Sequence, residues 1–174
     1  MRVPSGDHHA PPSYPGVVLY TVINPLHVGM VLAGASCAAT DAITPYATHI
    51  GKAFQITDDI LGVFGAELQS GKVPLDDIRE GKRTLLVVYA LDHATKADKR
   101  YLLQMLGNKS LTQQEFDQVK NILLTTGAYD YTRKQAEYHV RQALDNLDQA
   151  AGHWTANVTL FLKEMAYFLL QRTS

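Results

Sequence analysis

Residues 51–65 read GKAFQITDDILGVFG, and this stretch sets the terms for the whole chain. On a helix of 3.6 residues per turn, Gly51, Gln55, Asp58 and Gly62 recur at spacings of four, three and four and share one face, with Asp59 at its edge. Phe54, Ile56, Ile60, Leu61, Val63 and Phe64 cover the remaining surface. A helix apolar on most sides is packed on most sides. The polar stripe is therefore expected to look onto a cavity rather than bulk water. Two carboxylates about 6 Å apart repel by roughly 3 kcal/mol at an effective dielectric near 20. In a cavity that repulsion calls for cations, and hard oxygen ligands select Mg²⁺, which binds through a few carboxylates together with substrate phosphates. The flanking glycines are expected to leave room for the ion.

Outward from this stretch the period stays helical. Asn24 followed by Pro25 reads as a helix start opening PLHVGMVLAGASCAA, residues 25–39. Asp41 is expected to begin the long helix that carries the acidic stripe, with QSGKVP at 69–74 ending it through Gly71 and Pro74. REGKRTLLVVYALDHA (79–94) reads as a buried helix and KADKRYLLQMLG (96–107) as a shorter one closed by Gly107. Thr112 and Glu115 form a capping box for QQEFDQVKNILLTTG, closed by Gly127. The long amphipathic run 128–150 and a final helix after Gly152 complete the chain. No strand-like alternation of useful length and no internal repeat occurs, so the fold class is all-α.

The first sixteen residues differ in character. They hold four of the chain's seven prolines and are read as a disordered or extended tail, with one domain over 17–174. At 174 residues and 46% apolar content a single core is affordable, and a net charge of −1 excludes binding of nucleic acid or membrane surfaces by bulk electrostatics. The single cysteine, Cys37, forms no disulfide within the chain, and neither a secretory signal nor a spanning segment is visible. A cytoplasmic protein without stable membrane insertion is expected. The Asn-x-Ser/Thr matches at Asn108 and Asn157 then carry no meaning.

After the stripe come Gly71-Lys72 and the run DDIREGKRT, which brings Asp77, Arg79, Lys82 and Arg83. A loop lysine and a second one ten residues on can set point charges against a diphosphate, with carboxylate-held metal on its other side. Gly71-Lys72 is not a P-loop, because Gly65 lies one residue too far back and Val73 stands where Ser or Thr is required. His27, His49, His93, His139 and His153 show no zinc spacing, and Tyr129, Tyr131 and Tyr138 read as packing.

Together these segments resemble the C-terminal half of the trans-polyprenyl diphosphate synthases, the makers of geranyl, farnesyl, geranylgeranyl and longer diphosphates. FQITDDILGVFG (54–65) is similar to that family's second aspartate-rich motif, and GKVPLDDIREGKRTLL (71–86) to the lysine-bearing loop and helix after it. The likeness runs over roughly residues 18–174, through YTVINPLHVGMVLAGA and TTGAYDYTRKQAEYHVRQAL.

The resemblance implies a helical bundle around a deep cavity, with Mg²⁺ gripping the diphosphate of an allylic substrate while isopentenyl diphosphate attacks the allylic cation. It implies that Asp58 ligates Mg²⁺, Asp59 supports it, Gln55 orients the site, Lys72 and Lys82 meet the diphosphate, and Phe54 lines the pocket near the second substrate. Tyr20 and Thr21 fall where the family has a helix end near the allylic site. A terpene cyclase would share fold and metal chemistry, but the GKRTLL region is more similar to the chain-elongating enzymes.

Three departures accompany the likeness. The motif often closes on a third aspartate, where this chain has Gly62. The family's Lys-Thr pair before YT falls on Gly16 and Val17. The family's N-terminal half, with the first aspartate-rich motif, the diphosphate-binding arginines and the residues that set product length, has no counterpart in the sequence. A truncated or rearranged chain is expected, turning over slowly or not at all alone and exposing apolar faces to a homo- or hetero-oligomeric partner. The competing reading is a non-catalytic helical subunit of a full-length synthase.

Overall fold

A computed structural model of the chain describes residues 15–65 and 75–172. The described residues are helical in all their regular elements. These are α1 (Pro15–Val18), a π-helical turn (Leu19–Ile23), α2 (Asn24–Leu32), α3 (Cys37–Phe64), α4 (Asp76–Arg79), α5 (Leu85–His93), α6 (Lys96–Met105), α7 (Gln113–Thr125), α8 (Ala128–Gln149), a 3₁₀ turn (Ala151–His153) and α9 (Ala156–Gln171). The tail assigned to 1–16 lies outside the described residues up to residue 14, and helix begins at Pro15.

The chain divides into two compact units, residues 62–131 and the segments 14–61 and 132–174. In the second unit Ile43, Tyr46, Ile50 and Ala53 of α3 pack with Val140, Ala143 and Leu147 of α8 and Leu162, Ala166 and Leu169 of α9. The buried positions on each helix recur at intervals of three and four, so the sequence period alone delivers this core. Tyr46 adds a long-range tie, its Oη donating to the Leu162 carbonyl at 2.7 Å. In the first unit α5, α6 and α7 enclose Leu86, Ala90, Leu102, Met105, Phe116, Val119 and Leu123, all buried.

Two early helix starts differ from the sequence reading. Asn24-Pro25 does stand at the start of α2, with the proline in its first turn, but Asn24 is the first helical residue rather than the cap, and Ile23 before it already has helical dihedrals. The proline's missing N–H is met instead by a widened turn, in which the Asn24 N–H bonds back to the Leu19 carbonyl, five residues away. Likewise α3 starts at Cys37 rather than Asp41, with the Ser36 hydroxyl accepting the Ala39 N–H at 3.2 Å, and it carries Pro45 in its interior. Twenty-eight residues of helix anchored along one core face absorb the single lost ladder bond.

The helix expected over 79–94 begins only at Leu85, where the Thr84 hydroxyl caps it, because the chain turns at Gly81 after the short α4; from Lys96 onward the boundaries follow the sequence closely. Thr112 and Glu115 make both halves of the capping box, with the Thr112 N–H donating to Glu115 Oε2 at 2.8 Å. Gly107 and Gly127 end α6 and α7 at φ +83° and +77°, the left-handed region that disfavours a Cβ.

Candidate functional site

Gln55, Asp58 and Asp59 sit in the last third of α3, as the helical spacing requires. Asp59 is the more deeply placed carboxylate at 4% exposure, and it accepts a 3.0 Å hydrogen bond from Gln55 Nε2 one turn earlier. Asp58 is partly buried. The stripe therefore turns inward, but Gln55 is tied to Asp59 rather than to the residue at the centre of the face.

The glycines at its ends have a different reason from the one the sequence suggested. A Cβ at Gly51 would stand 2.7 Å from Val18 Cγ1, and one at Gly62 would stand 3.1 Å from Asp77 Cγ and closer still to its Oδ2. Both glycines make room for the protein's own side chains.

The expected basic residues lie in the first unit. Asp77, 5% exposed, belongs to the short α4, after which Gly81 at φ +71° reverses the chain. That turn is fixed by the Gly81 N–H to the Ile78 carbonyl at 3.0 Å and by the Lys82 N–H to the Asp77 carbonyl at 3.0 Å. Lys82 is thereby returned over Asp77, and its ammonium pairs with the Asp77 carboxylate and, at 3.1 Å, with Glu80. Burial works to lower the lysine's pKa, but the hydrogen bonds to Asp77 and Glu80 outweigh it and hold the ammonium above the ordinary lysine value. The side chain is still 44% exposed, so a ligand can reach it. Arg79 is committed elsewhere, donating to the Leu111 carbonyl at 2.8 Å.

Of the other expected site residues, Lys72 lies outside the described residues. Phe54 packs against the α3–α8–α9 core, with the Arg172 guanidinium 5.8 Å from its ring centroid. Tyr20 and Thr21 are exposed. A pairing that the spacing of histidines did not reveal joins His49 to His139, their Nδ1 atoms 2.9 Å apart. The two lie ninety residues apart in sequence, so no local motif announces them. Among the described residues no group of three or more His, Cys, Asp or Glu side chains is arranged to hold a metal, and no helix is long and apolar enough to cross a membrane.

The Polyprenyl synthetase family profile matches residues 19–123, more than half of the chain. The chain belongs to that family. It is 36% identical over 124 residues to geranylgeranyl diphosphate synthase of Sulfolobus acidocaldarius, covering 71% of this chain and 37% of that protein. With the geranylgeranyl diphosphate synthase of Saccharolobus solfataricus identity is 34% over 149 residues, covering 83% and 43%. Among solved structures, the geranylgeranyl pyrophosphate synthase of Corynebacterium glutamicum, complexed with isoprenyl diphosphate and magnesium, superposes with a TM-score of 0.83 at 32% identity, covering 89% of this chain and 43% of that one. The chain thus spans about two-fifths of the length of the curated relatives it matches. The matched region contains both the Asp58-Asp59 helix and the Asp77–Lys82 turn.

Proposed function

We propose that this chain carries one wall of a prenyltransferase site, that of a Mg²⁺-dependent polyprenyl diphosphate synthase that joins an allylic diphosphate to isopentenyl diphosphate in isoprenoid biosynthesis. The observation that carries this reading is the Gln55–Asp59 pair beside Asp58, two adjacent carboxylates maintained at a place where α3 is otherwise apolar. Hydrophobic packing gives no reason to retain them.

The donor set suits the ion. Two hard carboxylate oxygens with one carboxylate steadied by an amide match a cation that takes one or two carboxylates and completes its shell with water and phosphate. Asp58 and Asp59 would hold it, and Mg²⁺ bound there supplies positive charge that stabilises the departing diphosphate. Gln55 orients Asp59. Lys82 and Lys72 contribute ammonium charge to the diphosphate oxygens, as point charges.

Complementation tests the reading. Mixing the chain with a separately produced N-terminal half of a family member should restore condensation of an allylic diphosphate with isopentenyl diphosphate, and Asp58→Ala should abolish the gain. A mixture that associates yet stays inactive would count against it.

One observation favours the reading of a non-catalytic subunit. Helix α2 buries no residue and exposes Val28, Val31 and Leu32, while α9 exposes Leu160, Phe161, Met165 and Phe168. Apolar faces of this kind mark interaction surfaces. Co-purification with an intact synthase whose product or stability then changes, with no effect of Asp58→Ala, would decide for the subunit.

A further inference from the structure

We propose that Gly62 and Asp77 act together to position the Lys82 ammonium, so that Asp77 is a positioning residue for the diphosphate-binding lysine and the glycine closing the acidic motif is required for it. The inference rests on the reading of Lys82 as a diphosphate ligand. Gly62 stands four residues after Asp58 and three after Asp59, where the motif often ends in a third aspartate. The space that such a side chain would enter is filled by the carboxylate of Asp77.

Asp77 is nearly enclosed, and one carboxylate oxygen is pressed over Gly62 while the other pairs with Lys82. The Asp77 backbone carbonyl also accepts the Lys82 N–H at 3.0 Å, so both ends of the lysine are referred to one residue. A long, four-carbon side chain is otherwise costly to hold in one place. Here the buried carboxylate fixes the ammonium while leaving its outer side open. A Cβ at position 62 displaces that carboxylate oxygen and so disturbs the lysine's anchor. Restoring the usual aspartate at 62 therefore weakens the site instead of completing it, since it adds a second negative charge where Asp77 already sits.

The test uses the intact chain and the variants Gly62→Asp, Gly62→Ala and Asp77→Asn, the last of which preserves side-chain volume should the helix substitutions fold poorly. Lysine amines labelled with ¹³C-methyl groups are titrated by NMR, the Lys82 signal being assigned by Lys82→Arg, and inorganic pyrophosphate with Mg²⁺ is titrated calorimetrically. The expected result is a Lys82 titration midpoint shifted down in Asp77→Asn and Gly62→Ala, with pyrophosphate affinity reduced about tenfold or more in all three variants. An unchanged Lys82 midpoint in Asp77→Asn and Gly62→Ala, or tighter pyrophosphate binding in Gly62→Asp, overturns the proposal. Midpoints shifted in the variants of a parent protein that binds no pyrophosphate uphold the Gly62–Asp77–Lys82 linkage and reject the diphosphate reading.

Discussion

His49 and His139 face each other across α3 and α8 with their Nδ1 atoms 2.9 Å apart, close enough that one ring must donate and the other accept. Burial lowers the pKa of both imidazoles, with the charge of Lys52 acting in the same direction, and His139, which also feels His49, is brought down to about 4. The unfolded chain therefore binds more protons than the folded one between pH about 6.5 and about 4. Stability contributed by the neutral pair is complete above that window and is lost as the pH falls through it. Thermal unfolding followed from pH 7.5 to 4 should show a melting temperature that drops on acidification, and the drop should be shallower in His139→Phe. Equal slopes in parent and variant would mean that the pair does not titrate on unfolding.

Tyr46 offers a test of the core around it. Its ring is 2% exposed, burial pushes its phenol well above the ordinary range, and its hydroxyl donates to the Leu162 carbonyl 116 residues away. Tyr46→Phe keeps the ring and removes this hydrogen bond, while the Leu162 carbonyl retains its helical partner within α9, and the loss should be about 0.5–1.5 kcal/mol. Urea unfolding should show a lower midpoint at unchanged slope. A variant as stable as the parent would show that the bond makes no net contribution to the fold.

At Gly81 the backbone lies at φ +71°, and an added Cβ would stand 3.3 Å from the Gly107 backbone. Gly81→Ala is therefore strained in two ways, by its left-handed conformation and by contact with a chain segment that cannot swing aside. The expected loss is about 1–3 kcal/mol. Gly152→Ala, with open space around the position and no positive φ, serves as the neutral comparison. Similar melting temperatures for the two variants would refute the assignment of strain.

Thr57 is fully buried, and its hydroxyl oxygen has no hydrogen-bond partner among the described residues. Replacement by the near-isosteric valine should stabilise the fold by about 1 kcal/mol, because an unpaired buried hydroxyl carries a desolvation cost with no return. Calorimetric melting would read the gain. A loss of stability would indicate that the hydroxyl is satisfied by water.

Much of this structure is legible in the sequence because local rules decide it. The 3.6-residue period fixes the helical class, and the Thr112–Glu115 box and Gly127 bound α7 through contacts within a few residues. Where a decision depends on distant partners, the sequence misleads. Asn24-Pro25 carries every local sign of a helix start, yet the chain is already helical there and widens a turn to accommodate the proline. Gly51 and Gly62 invite a reading as space for an ion, but Val18 and Asp77 fill both places. The His49–His139 pair depends on the register of α3 against α8, which no spacing within either helix specifies. The acidic stripe itself was legible, because carboxylates inside an apolar helix conflict with packing and so point to function.

The most direct measurement of the central claim is a calorimetric titration of the chain with Mg²⁺ and a bisphosphonate, set beside the Asp58→Ala, Asp59→Ala double variant. If this chain carries a working wall of a diphosphate site, binding is Mg²⁺-dependent in the parent and is lost in the variant, whose circular dichroism and melting remain those of a folded protein. Absence of binding by a folded parent, or equal binding by the variant, would contradict the account.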